Sequence, residues 1–316
     1  MKTDRSTGSL RQALTQALLL ATASIVAMLA PTFAAAQSEP PPAQLVGTLQ
    51  KVRETGSITI GYRESSIPFS YLSARGEPIG YSIDLCRLLV DAIGDEVHKT
   101  IAIKWVPVTS DSRIAAVSSG KVDLECGSTT SNLERQKLVN FSPTMFVSGT
   151  KLMVRKDSPI KSFRDLSGKK VVVTSGTTNE KAMADLKDKF KLDVTFVKGA
   201  DHAASFKMLA DGQVDAFATD DVLLYGLLAQ NNVQRDYLVV GEFLSYDPYG
   251  VMYRRGDTQM RSIIDDTFNR LAQDGEIDRR YTRWFLQRLP SSNVSLNLPM
   301  SPQLETIIQT MMVKSE

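Results

Sequence analysis

The chain has 316 residues, with 37 Lys or Arg, 35 Asp or Glu, two cysteines and two histidines. Residues 1–36 hold three of the basic residues (Lys2, Arg5, Arg11) and one acidic residue (Asp4), so 34 of each sign remain and the rest is formally neutral. That balance excludes the basic footprint of a nucleic-acid-binding protein, and about 280 residues suffice for two modest lobes with cores of their own.

The N-terminus reads as an export signal. Lys2, Arg5 and Arg11 form a basic region, Ala17 to Ala30 is apolar and uncharged, and Ala34-Ala35-Ala36 before Gln37 fits small-residue cleavage. The apolar run is shorter than the roughly 17–25 residues of a spanning helix. No cysteine lies near the cleavage site, which argues against a lipid-anchored form, so the expectation is an exported protein whose mature form is soluble.

After a proline-rich leader (Glu39 to Pro42), Gln44 to Glu54 predicts a short helix and Ser57 to Tyr62 a strand. Glu77-Pro78-Ile79-Gly80 predicts a turn, and Ile83 to Ile93 carries apolar residues at helical spacing. A strand (Ile101 to Val106), a short helix (Asp111 to Ser119) and a strand (Val122 to Cys126) follow, then a helical pattern from Asn132 to Val139. The alternation restarts with strands at Thr150 to Arg155 and Lys170 to Thr174, separated by a helical turn at Asp165-Leu166. Next come a helix (Glu180 to Phe190), a strand (Asp193 to Val197) and a helix (His202 to Ala210). A strand (Val214 to Ala218), a helix (Asp221 to Ala229) and a strand at Leu238 to Val240 complete the block. Gly250 to Tyr253 is an extended return. Met260 to Phe285 is helical with an interruption at Gly275, and a last helix spans Pro302 to Met312. Strands alternating with helices imply an α/β fold with mainly parallel sheets covered on both faces. Extended segments near 147–153 and 249–253 imply two lobes with two crossings between them.

Two short segments nearly repeat one another. Asp123 to Thr130 reads Asp-Leu-Glu-Cys-Gly-Ser-Thr-Thr, and Val171 to Thr178 reads Val-Val-Val-Thr-Ser-Gly-Thr-Thr. Each is a buried strand running into a glycine-hydroxyl turn ahead of a helical pattern. Such a turn offers backbone N–H groups and hydroxyls to an anion, although Ser and Thr are also ordinary helix caps. Two of them in separate halves suggest two lobes closing on one carboxylate-bearing ligand.

Cys86 and Cys126 are the only cysteines. Cys86 falls in the first turn of the helix after Tyr81 and Cys126 at the C-terminal end of a strand, which a parallel βαβ unit places on the same edge of the sheet. A disulfide, which an oxidising compartment permits, and two separate buried thiols both stay open.

Several longer stretches then point to a family. They are Gly61 to Ser70 (Gly-Tyr-Arg-Glu-Ser-Ser-Ile-Pro-Phe-Ser), Thr109 to Arg113, Glu125 to Gln136, Val171 to Glu180, Lys198 to His202, and Asp220-Asp221. From about residue 48 onward the chain resembles the periplasmic solute-binding proteins of polar amino-acid ABC importers, most closely the glutamate/aspartate-binding members. The resemblance implies a two-lobed type II binding-protein fold with two hinge strands. It divides the chain into a signal peptide (1–36), a first lobe (37–148 and 252–290), a second lobe (149–251) and a C-terminal extension (291–316).

The same resemblance implies a ligand set, position by position. Ser128, Thr130, Arg135 and Thr178 would converge on an amino acid's α-carboxylate, where a guanidinium offers a two-pronged grip that Lys cannot copy. Asp220, just past a strand, would meet the α-ammonium. Arg63, Ser110, Arg113 and His202 would hold a distal carboxylate, with three groups able to carry positive charge disfavouring a neutral amide or a cation. Taken alone, each residue has a plainer reading. A lone Arg is usually solvated, a single His is usually structural, and Asp220-Asp221 could cap the helix that begins at Val222. Asp84 reads as a cap and His98 as surface. The expected function is a monomeric, non-enzymatic carrier, without cofactor or metal, that delivers L-glutamate or L-aspartate to an inner-membrane ABC permease. The rival readings are a dehydratase-like enzyme on the same fold and a protein that presents its ligand to a sensor.

Overall fold

The structure, a computed structural model, describes residues 44–313; the expected signal segment and proline-rich leader lie outside the described residues. Helix α1 (Gly47–Thr55) leads into β1 (Ser57–Tyr62) and a small meander of β2 (Ser65–Ser66), β3 (Ser70–Leu72) and β4 (Pro78–Ile79). Then come α2 (Tyr81–Val97), β5 (Ala102–Pro107), α3 (Arg113–Ser118), β6 (Leu124–Cys126) and β7 (Val139–Phe141). Strand β8 (Phe146–Ser148) crosses to the second lobe, built from β9 (Thr150–Arg155), β10 (Lys169–Thr174), α4 (Thr178–Phe190), β11 (Val194–Gly199), α5 (His202–Ala210), β12 (Ala216–Asp220), α6 (Asp221–Asn231) and β13 (Tyr237–Val240). The chain returns through β14 (Asp247–Tyr249) to β15 (Met252–Arg254), α7 (Thr258–Gln273), α8 (Glu276–Tyr281) and α9 (Pro302–Val313).

The two sheets share one plan. The first has the order β5-β1-β6-β15-β7 and the second β11-β10-β12-β9-β13. In each, three parallel strands lie second–first–third, and an antiparallel strand (β15 or β9) flanks the third. Connections diverge on either side of the first strand, which opens a crevice at the carboxyl ends of the strands. The lobes face each other with these ends.

Burial follows the sequence pattern. Val171, Val172 and Val173 of β10 are all inaccessible, as a strand covered on both faces requires. Along α2 the buried residues Ile83, Cys86, Leu89, Val90, Ile93 and Val97 repeat at helical spacing. The helix closes on His98, an exposed left-handed cap. Asp84 does not cap this helix as expected; its carboxylate accepts from Trp284 Nε1 at 2.7 Å and ties α2 to the C-terminal segment. Cys86 and Cys126 are bonded to each other, with Cα atoms 6.4 Å apart, so the open alternative resolves as a disulfide.

The hinge is a two-stranded ribbon in which β8 and β14 run antiparallel, pairing Phe146 with Tyr249 and Ser148 with Asp247. Its aromatic residues join a cluster in the first lobe. Phe69 lies 4.9 Å from Phe146 and 5.1 Å from Tyr249, and Phe146 stacks on Phe285 at 4.9 Å. Such contacts add about 0.5–1.5 kcal/mol each beyond simple burial and fix where the Tyr249 hydroxyl points.

One predicted helix is absent. Instead of a helix over Asn132 to Val139, the chain makes a 3₁₀ turn (Arg135–Lys137) and enters β7 at Val139. Asn132 Oδ1 accepts from the Arg135 N–H at 2.9 Å, a local turn bond that competes with helix. Leu133, Glu134, Gln136, Lys137 and Leu138 are exposed, so a helix here would have no apolar face to bury. The Met260 to Phe285 pattern breaks, as expected, at Gly275, which adopts φ +69° between α7 and α8.

Candidate functional site: the interlobe cleft

All nine residues singled out from the sequence lie at or just beyond the carboxyl ends of parallel strands. Arg63 follows β1, Ser110 and Arg113 follow β5, and Ser128, Thr130 and Arg135 follow β6. From the other lobe, Thr178 follows β10, His202 follows β11, and Asp220 ends β12. Eight of them are buried, and Thr178 is half-buried.

One end of the cleft is cationic. The Arg63 Nη2 donates to Ser110 Oγ at 2.7 Å, while its Nη1 is buried without a partner. Arg113 Nη1 donates to the Ser128 carbonyl at 3.2 Å, and its Nε is likewise orphaned. The Arg63 pKa falls to about 9, first by burial and then by the neighbouring Arg113 charge, with Glu125 working the other way. Burial also lowers Arg113. Both guanidiniums remain charged near neutrality.

His202 Nδ1 meets Thr174 Oγ1 at 3.2 Å. Burial, then the charges of Arg63 and Arg113, push its pKa well below the ordinary histidine value, so the imidazole is neutral. The expected three cations are therefore two cations and a neutral ring. Two positive charges this close, both desolvated, make a third protonation too costly.

The opposite end gathers carboxylates around one guanidinium. Arg135 Nη1 donates to the Thr130 carbonyl at 2.9 Å and Nη2 to the Gly176 carbonyl of the other lobe at 3.2 Å. Its pKa falls to about 9, first by burial and then by the Arg113 charge. Asp220 accepts from Asn179 Nδ2 at 2.8 Å and from the Tyr249 hydroxyl. Burial, then the nearby Asp247 charge, raises its pKa to about 8. The capping alternative belongs to its neighbour: Asp221 Oδ1 accepts the Val222 N–H at 2.8 Å, while the Asp220 side chain makes no cap bond.

The lobes touch across the cleft. Thr130 Oγ1 and Thr178 Oγ1 lie 3.1 Å apart, and the Ala203 N–H donates to Ser65 Oγ at 3.4 Å. Gly176 has φ +74°, and a Cβ there would stand 2.6 Å from the Asp111 Cα, so only glycine allows this approach.

Sequence reasoning missed Glu125, Asp247, Tyr249 and Asn179. Glu125 is inaccessible on β6; its Oε2 accepts from the Thr129 hydroxyl at 2.8 Å and its Oε1 has no partner. An acid in an otherwise buried strand was a readable signal. Asp247 and Tyr249 carried none, because the hinge brings them to the cleft only in three dimensions. Among the described residues no group of side chains has the make-up of a metal site, and no helix is long and apolar enough to cross a membrane.

Two α/β lobes on paired hinge strands, with buried charged groups of both signs meeting between them, define a two-lobed solute-binding protein. The comparisons make this specific. Residues 58–287 match the model of the bacterial extracellular solute-binding proteins, family 3, and the chain belongs to that family. It is 41% identical to the L-glutamate/L-aspartate-binding protein of Pseudomonas aeruginosa over 92% of this chain and 94% of that one. Against the glutamate/aspartate import solute-binding protein of Escherichia coli it is 38% identical, over 83% of this chain and 87% of the relative. Among solved structures, a mutant of the T. maritima protein ArgBP superposes with a TM-score of 0.69 at 26% identity, covering 76% of this chain and all of the other.

Proposed function

We propose that this protein captures L-glutamate or L-aspartate in the periplasm and hands it to an ABC permease in the inner membrane. It acts as a monomeric carrier, not an enzyme, after removal of a signal peptide at residues 1–36. The observation that carries this reading is the pair of orphaned guanidinium donors, Arg63 Nη1 and Arg113 Nε, buried at one end of the cleft. Buried polar groups without partners are rare and mark places where a partner is missing. Two charged donors ask for an anion, and a distal carboxylate supplies one.

The rest of the ligand follows from charge. Arg135 and the unpartnered Ser128 hydroxyl suit the α-carboxylate; the Asp220 carboxyl, pushed up to about 8 by burial, suits the α-ammonium because a cation beside it favours the ionised form. A hydrogen bond to a charged group in such a site contributes roughly 1.5–3 kcal/mol. Residues from both lobes contact one molecule, so the ligand favours closure by its differential affinity for the closed form. Ser110 and His202 complete the distal end as neutral partners.

Calorimetric titration with glutamate, aspartate, glutamine, asparagine and arginine tests this. The expected result is tight binding of at least one acidic amino acid, with its amide at least tenfold weaker. An amide or arginine binding more tightly than both acids would sink the reading.

A further inference from the structure

Asp247 stands where neither the strand-end pattern nor the hydroxyl turns would place a ligand-shaping group. It is the first residue of hinge strand β14 and is 1% exposed. Its Oδ1 accepts from Thr178 Oγ1 at 2.7 Å and from Thr130 Oγ1 at 3.0 Å, one hydroxyl from each lobe. Its Oδ2 accepts from the Ser245 hydroxyl, which itself meets Thr150 Oγ1 at 2.7 Å. The carboxylate is thus held from behind and aimed at the two threonines.

Each threonine hydroxyl has a single proton. With Asp247 on one side and each other 3.1 Å away, both protons are spent inside the trio. What the oxygens then turn toward the cleft is lone pairs. A carboxylate placed against them would meet two acceptors and, just behind, an anion; an ammonium would meet two acceptors backed by that anion.

We propose that Asp247 is a positioning residue that fixes Thr130 and Thr178 as acceptors and so makes the cleft select ligands bearing an α-ammonium. This rests on the carrier reading above, and it reverses the role the sequence suggested for those two threonines. Their hydroxyls serve the amino group, and the α-carboxylate is left to Arg135 and Ser128. Selectivity of this kind arises because a site built to accept protons is left with unpaired acceptors when the ligand lacks them.

The test compares L-glutamate with glutarate, its analogue without the amino group, by competition calorimetry on the wild type, Asp247→Ala and Asp247→Asn. The wild type is expected to prefer glutamate at least a hundredfold. In Asp247→Ala the hydroxyl protons are freed to serve a carboxylate, and the preference should fall at least tenfold. Asp247→Asn keeps an acceptor oxygen at the same place and should retain most of it. A general loosening of the hinge would instead weaken both ligands by the same factor and leave the preference intact, which overturns the proposal. If Asp247→Ala does not fold, Thr178→Val removes one of the two acceptors. A reduced preference is expected there, and an equal loss for both ligands overturns the proposal. A wild type that binds neither acidic amino acid refutes the carrier reading instead, and the same ratio is then taken with whichever amino acid binds and its desamino analogue.

Discussion

The two glycine-hydroxyl turns read almost alike, yet the structure uses them differently. The turn after β10 opens α4, a 13-residue helix whose N-cap Thr177 accepts from the Glu180 N–H at 3.1 Å. Glu180 in turn accepts from the Gly176 N–H at 3.0 Å, so this turn is braced by its own helix. The turn after β6 has no helix behind it. It is braced by the Cys86–Cys126 disulfide on one side and by Arg135, which reaches back to the Thr130 carbonyl, on the other. Similar strand-turn sequences thus hold cleft groups by a capped helix in one lobe and by a covalent tie and a guanidinium in the other. A turn motif specifies a local shape; what steadies it comes from whatever packs behind.

Removing the covalent brace should have the largest effect. The bonded cysteines are 40 residues apart in sequence. On the chain-entropy account a loop of that size is worth about 4 kcal/mol. Cys86→Ser with Cys126→Ser should lower the denaturant midpoint accordingly, and an unchanged midpoint would show that the first turn does not depend on the bond.

Arg135→Ala removes the group that bonds to both turns at once. Ligand affinity should fall at least tenfold by calorimetry, equivalent to about 1.4 kcal/mol. Near wild-type affinity would remove Arg135 from the site.

The smallest changes separate the turns most sharply. Thr177→Ala deletes a cap worth about 1 kcal/mol and should lower thermal stability while leaving affinity within about twofold. Ser128→Ala deletes a buried hydroxyl that has no hydrogen-bond partner within the protein. It should leave the melting temperature nearly unchanged and weaken binding by about fivefold, on the order of 1 kcal/mol for one donor. If both variants affected stability and affinity alike, the contrast between the turns would fail.

Much of the fold was legible because period and punctuation are local. The valine run of β10 and the apolar spacing of α2 needed no tertiary knowledge, and neither did the break at Gly275. The segment Asn132 to Val139 misled because a polar, helix-compatible stretch becomes a helix only when a face of it is buried. Asp84 misled for a related reason: an acid in a first turn suits a cap, but the Trp284 indole, 200 residues away, claimed it.

The candidate site divides the same way. Residues that end strands were readable, since strand ends can be found from sequence and the order of a βα fold sends them to one edge. The family resemblance nominated Arg63, Arg113, Ser128, Arg135, Thr178, His202 and Asp220, and their places after predicted strands agree with one shared edge. Charge state and proton direction were not readable. His202 is neutral because it is buried and, second, because two guanidiniums lie near it, and Thr130 and Thr178 face Asp247 because the hinge strand delivers that carboxylate between the lobes. The sequence by itself determined the strands, the turns and the edge they share, because these are specified by neighbouring residues, and its resemblance to a family nominated most of the groups found there. Only the tertiary structure decided what each group does there. Electrostatics and hydrogen bonding act through space, on neighbours that the chain brings together from far apart.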